Sequence, residues 1–128
     1  MADGASFPKR EHIVSTRLIE ELFGGGSTSA AAYPLRAVYR KVPREQTGVS
    51  VQVLVSVSKK RFKHAVDRNR VKRQIREAYR HHKQPLCSAI PDGQCLLLGF
   101  LWVSNELAPS HVVDQRVEKL LKRIAEAV

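Results

Sequence analysis

Residues 65–83 read AVDRNRVKRQIREAYRHHK, with seven Lys or Arg among nineteen residues and only Asp67 and Glu77 to oppose them. Side chains of this kind bind anions rather than break bonds. The forked guanidinium of Arg matches phosphate oxygens two at a time, and an Asn in the same run can hydrogen-bond a sugar or a base edge. The excess is local: from residue 58 to residue 83 eleven Lys and Arg face two acids, which is +9 of the chain's formal +10. Crowded like charges repel, so the segment calls for an anionic partner to offset that cost.

Spacing sharpens the reading. At about 100° per residue, Val71, Ile75, Ala78, Tyr79 and His82 fall in one arc, a stripe suited to a core. Asn69, Lys72, Arg73, Arg76, Arg80 and Lys83 fall in a second arc, five cations and one Asn with no carboxylate. A solvated surface helix normally mixes signs on its outer face, and one acid, Glu77, cannot neutralise five bases even where it pairs with Arg73 or Arg80. Asp67 suits the helix start, as N-cap or first-turn anion. With SKKRFK at residues 58–63 added just before it, the segment is expected to bind nucleic-acid phosphates, RNA first among them.

The residues that could cut such a polymer are missing. The five His are His12, His64, His81, His82 and His111, and none has an acid–base partner at a useful spacing. His81 and His82 adjoin on a helix and point to different faces, which is no metal site; His64 and His81 extend the basic surface instead. Cys87 and Cys95 form no CxxC and no disulfide framework, and are expected as reduced thiols packed as small hydrophobes. GGGSTS at residues 24–29 follows a helix and lacks the Lys of a phosphate-binding loop. No catalytic residue and no metal ligand is expected from this chain itself.

The elements that must position the basic helix are legible around it. The chain has 128 residues, 43% of them apolar, a length that suits one domain over residues 1–128 with a core of its own. Residues 1–14 are expected as an extended arm, since Pro8 biases the residues before it away from helix. STRLIEELF starts a helix with Ser15 or Thr16 as cap and Leu18, Ile19, Leu22 and Phe23 on its apolar side, and Gly24 ends it. YPLRAVYRKV and VSVQVLVSVS read as strands separated by the turn PREQTG. After the basic helix, KQPLCSAIPDGQ reads as loop and turn, CLLLGFLWV as a strand buried on both faces, and the stretch from Pro109 to the end as an amphipathic helix carrying Val113, Val117, Leu120, Leu121, Ile124 and Val128. The order helix-strand-strand-helix-strand-helix implies an α+β two-layer sandwich around a small mixed sheet. No segment reads as a secretory signal, and the longest apolar run is far short of the roughly 20 residues a membrane helix needs; a soluble cytoplasmic protein with no membrane partner is expected.

The residues also carry a resemblance. SVSKK ending a strand, then A..RNRVKR.IRE.YR, closely resembles the bacterial ribonuclease P protein component, with the Arg-Asn-Arg signature at Arg68, Asn69 and Arg70 continuing through Lys72, Arg73 and Arg76. Phe7 and Pro8 before a basic residue, Phe23 closing the first helix, the element order and the closing EKLLKRI match as well, so the likeness spans nearly the whole chain. Leu54 stands near a position where relatives commonly have Gly, and Ile19 where they often have an aromatic. The resemblance implies a left-handed strand-helix-strand crossover around the basic helix, a hand found in only about 2% of such connections elsewhere. It implies a protein subunit of a ribonucleoprotein endoribonuclease that removes the 5′ leader of precursor tRNA. Catalysis would lie in the RNA subunit, with Mg²⁺ held mainly by that RNA supplying the activated water. Lys59, Lys60, Arg68, Asn69, Arg70, Lys72, Arg73, Arg76 and Arg80 would then contact the catalytic RNA, and Phe7, Phe23, Tyr39 and Lys60 would line a cleft for the single-stranded leader. The partners implied are the ribonuclease P RNA and precursor tRNA, without DNA. The rival classes are a ribosomal or other structural RNA-binding protein with no part in cleavage, and a DNA regulator; the latter lacks the short helix and turn that should precede its reading helix.

Overall fold

A computed structural model describes residues 7–44 and 47–128; the first six residues of the expected arm lie outside the described residues. Helix α1 (Thr16–Phe23) starts where Ser15 Oγ accepts a hydrogen bond from Leu18 N at 3.4 Å, and it buries Leu18 and Leu22. Strands β1 (Thr28–Ala32) and β2 (Leu35–Pro43) form an antiparallel hairpin whose two-residue turn carries a cis Tyr33-Pro34 bond. Strand β3 (Val51–Ser56) leads into α2 (Ala65–His82), then α3 (Gln84–Ala89), β4 (Gln94–Trp102) and α4 (Ser110–Ala127). The sheet order is β1-β2-β4-β3, with β4 antiparallel to β2 and parallel to β3, so the sheet is mixed as expected.

Alternation divides the sheet's side chains between two cores. Leu35 and Ala37 of β2, Val51, Val53 and Val55 of β3, and Leu96, Leu98, Phe100 and Trp102 of β4 meet α2 and α4 in the larger one. From α2 come Val71, Ile75, Ala78 and Tyr79, and from α4 Val113, Val117, Leu120, Leu121 and Ile124, all buried. Burying each large apolar side chain stabilises by about 1.5–3 kcal/mol, which is what holds the charged helix against its own repulsion. The smaller core lies on the other sheet face, where Leu18 and Leu22 of α1 meet Val42, Cys95 and Leu97. β4 feeds both faces, which explains its unbroken apolar run.

The α+β sandwich is as expected, with two further elements. β1 is TSAAA, and alanine is a weak strand former; Ala30 and Ala32 earn a strand because small side chains let α4 approach the sheet edge, where Arg123 and Arg116 donate to the carbonyls of Ala31 (2.8 Å) and Tyr33 (3.0 Å). The hairpin turn also moves the start of β2 from Tyr33 to Leu35. α3 forms in the expected loop because Pro85 sits in its first turn, the one helical place a proline fits, and Leu86 reaches the core. Lys83 also departs from the wheel. It leaves the basic arc where α2 ends and turns inward, its side chain 7% exposed, to Glu11 of the arm at 2.7 Å. His82, placed on the core stripe, is half-buried and meets Asp114 of α4 at 2.9 Å.

Candidate RNA-binding interface

The basic surface begins in the turn after β3. Val57 and Phe62 are buried and pin the turn at both ends, while Ser58 Oγ accepts from Lys60 N at 3.1 Å and leaves Lys59 and Lys60 exposed. Arg68 ties this turn to the helix: its Nη1 donates to the carbonyls of Phe62 (2.9 Å) and Lys63 (3.0 Å). The first Arg of the signature is thus half-buried and fixes the geometry of its neighbours, while Asn69 and Arg70 are exposed. Lys72, Arg73 and Arg76 continue the outer face, opposite the buried Val71, Gln74, Ile75 and Ala78. Among the described residues none of Lys59, Lys60, Arg70, Lys72, Arg73 or Arg76 forms an ion pair. Arg80 differs, because Glu77 one turn back accepts from its Nε at 3.2 Å. That hydrogen bond holds the Glu77 carboxyl below the usual carboxylate range. Asp67 sits in the first turn of α2, where a negative charge suits the helix dipole.

The aromatic residues expected in one cleft are divided by the sheet. Phe23 closes α1, 44% exposed, above the face that carries Val38, Leu54 and Gly99. Gly99 permits the close approach there: a Cβ on it would stand 3.2 Å from Leu22 Cδ2 and 3.3 Å from Phe23 Cζ. Tyr39 is on the opposite face with Leu35 and Ala37, packed at the edge of the larger core. Phe7, expected in the leader cleft, is half-buried; its ring stacks on His12 (centroids 3.9 Å apart) and tilts against Tyr79 at 5.1 Å. Phe23 and Tyr39 therefore cannot face one ligand strand together. The face with Phe23 instead brings Arg36 and Ser56, exposed, and Leu101, half-exposed, into register across β2, β4 and β3, beside the row of Val38, Gly99 and Leu54 and next to the turn with Lys59 and Lys60. Strand alternation from Val38 would have found this row.

Among the described residues no three His, Cys, Asp or Glu are grouped so as to hold a metal ion. Cys87 and Cys95 are free thiols, and burial pushes both above the ordinary thiol value. Among the described residues no helix is long and apolar enough to cross a membrane.

Comparison with known proteins bears on family and fold. The family described as Ribonuclease P matches residues 7–125. The ribonuclease P protein component of Porphyromonas gingivalis is 42% identical over 118 residues, covering 91% of this chain and 85% of that one. That of Chlorobium phaeobacteroides is 42% identical over 91 residues, 70% and 62% of the two chains. Among solved structures, a Staphylococcus aureus RNase P protein mutant with defective mRNA degradation activity superposes with a TM-score of 0.70 at 19% identity, covering 91% of this chain and 89% of that one. The RNase P protein of Thermotoga maritima superposes at 0.66 with 22% identity, over 88% and 96% of the two chains; at such identities the likeness is one of fold.

Proposed function

The chain belongs to the ribonuclease P protein family, and on that premise we propose that α2 and the turn before it dock on the RNA subunit of ribonuclease P. In the same reading the sheet face beside Phe23 receives the single-stranded 5′ leader of precursor tRNA. Ribonuclease P is a ribonucleoprotein endoribonuclease, and the role of this family is to assist its RNA in leader removal, a cytoplasmic task. The observation that carries the docking reading is the run of six cations, Lys59, Lys60, Arg70, Lys72, Arg73 and Arg76, without an ion pair among the described residues, on one rigid helix and the turn Arg68 fastens to it. A preformed array of this kind meets a phosphate backbone without further ordering cost.

The division of labour follows from the side chains. Arg70, Arg73 and Arg76 supply forked donors to phosphate oxygens, Asn69 offers a donor and an acceptor to sugar or base edges, and Arg68 acts on them by positioning the turn. On the sheet, Phe23 offers a stacking surface and Arg36 and Lys60 offer cations to the leader backbone. None of these groups attacks the phosphodiester; Mg²⁺ held mainly by the RNA subunit would supply the activated water.

The test is the affinity of the purified protein for a bacterial ribonuclease P RNA across a salt series. Six phosphate contacts at roughly 0.7–0.9 each give a log–log slope of about −4 to −5. Replacing Arg73 and Arg76 by Ala should make the slope shallower by about two. A slope that stays unchanged in the double variant would place the RNA elsewhere.

A further inference from the structure

The open row on the sheet face with Phe23 runs to both edges of the sheet. Ala31 of β1 lies opposite Arg36 of β2, Arg36 opposite Leu101 of β4, and Leu101 opposite Ser56 of β3. Ala31, Arg36 and Ser56 are exposed and Leu101 is half-exposed, so α1 leaves the row uncovered. Arg36 Nη2 also donates to Ser29 Oγ at 3.3 Å, which carries its charge onto β1. One end of the row meets the turn with Lys59 and Lys60, beside the cations of α2. The other end is the outer edge of β1, the last strand of the sheet.

The chemistry of that edge selects its partner. A bare strand edge offers donors and acceptors in turn and invites another strand. Here Arg123 Nη1 donates to Ala31 O at 2.8 Å and Arg116 Nε to Tyr33 O at 3.0 Å, so these outward carbonyls are taken. Each guanidinium keeps further N–H donors after that bond. Strand alternation turns the amides of the exposed Ser29 and Ala31 the same way as the Ala31 carbonyl, and among the described residues neither meets a backbone acceptor outside the ladder. The edge therefore presents donors and positive charge. A protein strand would lack acceptors to bond to, whereas a phosphodiester backbone brings acceptors and negative charge.

The surroundings agree. Arg116, Lys119 and Arg123 follow one flank of α4 at spacings of three and four, and among the described residues none forms an ion pair. Of the acids on α4, Asp114 and Glu118 face His82 at 2.9 and 3.7 Å, which leaves Glu126, a turn beyond Arg123, to oppose them. Tyr33 stands at the tip of the hairpin, 67% exposed, with its carbonyl held by Arg116. An exposed ring flanked by cations is a platform for an unstacked base.

We infer that the edge of β1 binds the distal stretch of the 5′ leader. Nucleotides that have crossed Arg36 on the sheet face run on along β1, with their phosphates on Arg116, Lys119 and Arg123 and one base stacked on Tyr33. The inference rests on the reading of the Phe23 face as the seat of the leader and extends that seat past the sheet. It sets how long a leader the protein recognises.

The experiment measures the affinity of ribonuclease P, reconstituted from a bacterial RNA subunit and the full chain, for precursor tRNAs whose leaders grow one nucleotide at a time. Affinity should rise as the Phe23 face fills, level off, and rise again by about tenfold, the scale of one stacked base, when the leader reaches Tyr33. In Tyr33→Ala the second rise should be lost and the first kept. Lys119→Glu, an exposed position, should blunt the second rise and make its salt dependence shallower. A single rise in the unmodified protein, or a second rise that both variants retain, would overturn the inference and leave the Phe23 reading standing. A loss equal at every leader length, mature tRNA included, would set the edge against other RNA and overturn it too. A dimer that both variants dissolve would give the edge to a second copy and do the same. If affinity is independent of leader length throughout, the reading of the Phe23 face falls with it.

Discussion

Replacing Glu11 by Gln should unfasten the arm from the basic helix at a cost that can be worked from the structure. Lys83 Nζ lies 2.7 Å from Glu11 Oε1, with the two side chains 7% and 16% exposed. Removing one charge from so buried a pair leaves the other desolvated and poorly matched, which costs about 3–5 kcal/mol. The arm residues between Phe7 and His12 gain their order from this tie and from the stacking of Phe7 on His12 and Tyr79. For a chain of this length about 3 kcal/mol corresponds to a fall of roughly 10 °C in melting temperature. Trp102, the chain's single tryptophan and buried in β4, gives a fluorescence signal for urea unfolding. Lys83→Met in the Glu11→Gln background should recover much of the loss, because a neutral pair carries no stranded charge. A Glu11→Gln variant within 1 kcal/mol of the unmodified protein, with no gain on adding Lys83→Met, would refute the reasoning.

Other outcomes follow from single residues. Arg68→Ala should raise amide exchange across residues 58–64, since two carbonyls lose their donor, and weaken RNA binding, while Arg73→Ala should weaken binding with exchange unchanged. Gly99→Ala presses closely on two side-chain ends, Leu22 Cδ2 and Phe23 Cζ, and meets Val38 O at an ordinary 3.8 Å, so it should cost about 1 kcal/mol by denaturant titration; Gly99→Val should cost more, up to about 3 kcal/mol. Burial raises the pKa of Cys87 and Cys95, so the folded state favours their neutral form. Their contribution is complete below the unfolded thiol value of about 8.5 and is lost as pH climbs through the folded values. Melting temperature should therefore drop at alkaline pH, and a Cys87→Ala, Cys95→Ala variant should show a flatter alkaline limb.

The parts of this molecule legible in the sequence are those that local periodicity determines. The buried stripe through Val71, Ile75, Ala78 and Tyr79 and the cationic arc through Lys72, Arg73 and Arg76 both follow from helical spacing, and β4 announced itself by an apolar run that needs cover on both sides. What stayed hidden depends on partners distant in the chain. Lys83 looked like one more surface base because its partner, Glu11, lies 72 residues away. β1 was concealed by its alanines, which become a strand only when α4 arrives to cover them. Phe23 and Tyr39 looked like companions, yet which sheet face α1 covers is a matter of topology that neither residue encodes. Arg68 looked like one phosphate contact among several, and its hydrogen bonds to the carbonyls of Phe62 and Lys63 give it a positioning role no spacing could reveal.

The most direct test of the central claim is leader removal from precursor tRNA by a bacterial ribonuclease P RNA at low Mg²⁺, with this protein and with its Arg73→Ala, Arg76→Ala variant. Both replaced side chains are exposed, so the variant should fold as the unmodified chain does. Rapid, accurate cleavage with the unmodified protein and its loss in the variant, restored by raising Mg²⁺, is the expected result. Equal cleavage with and without the protein, while RNA binding persists, would contradict the account and leave a structural RNA-binding role in its place.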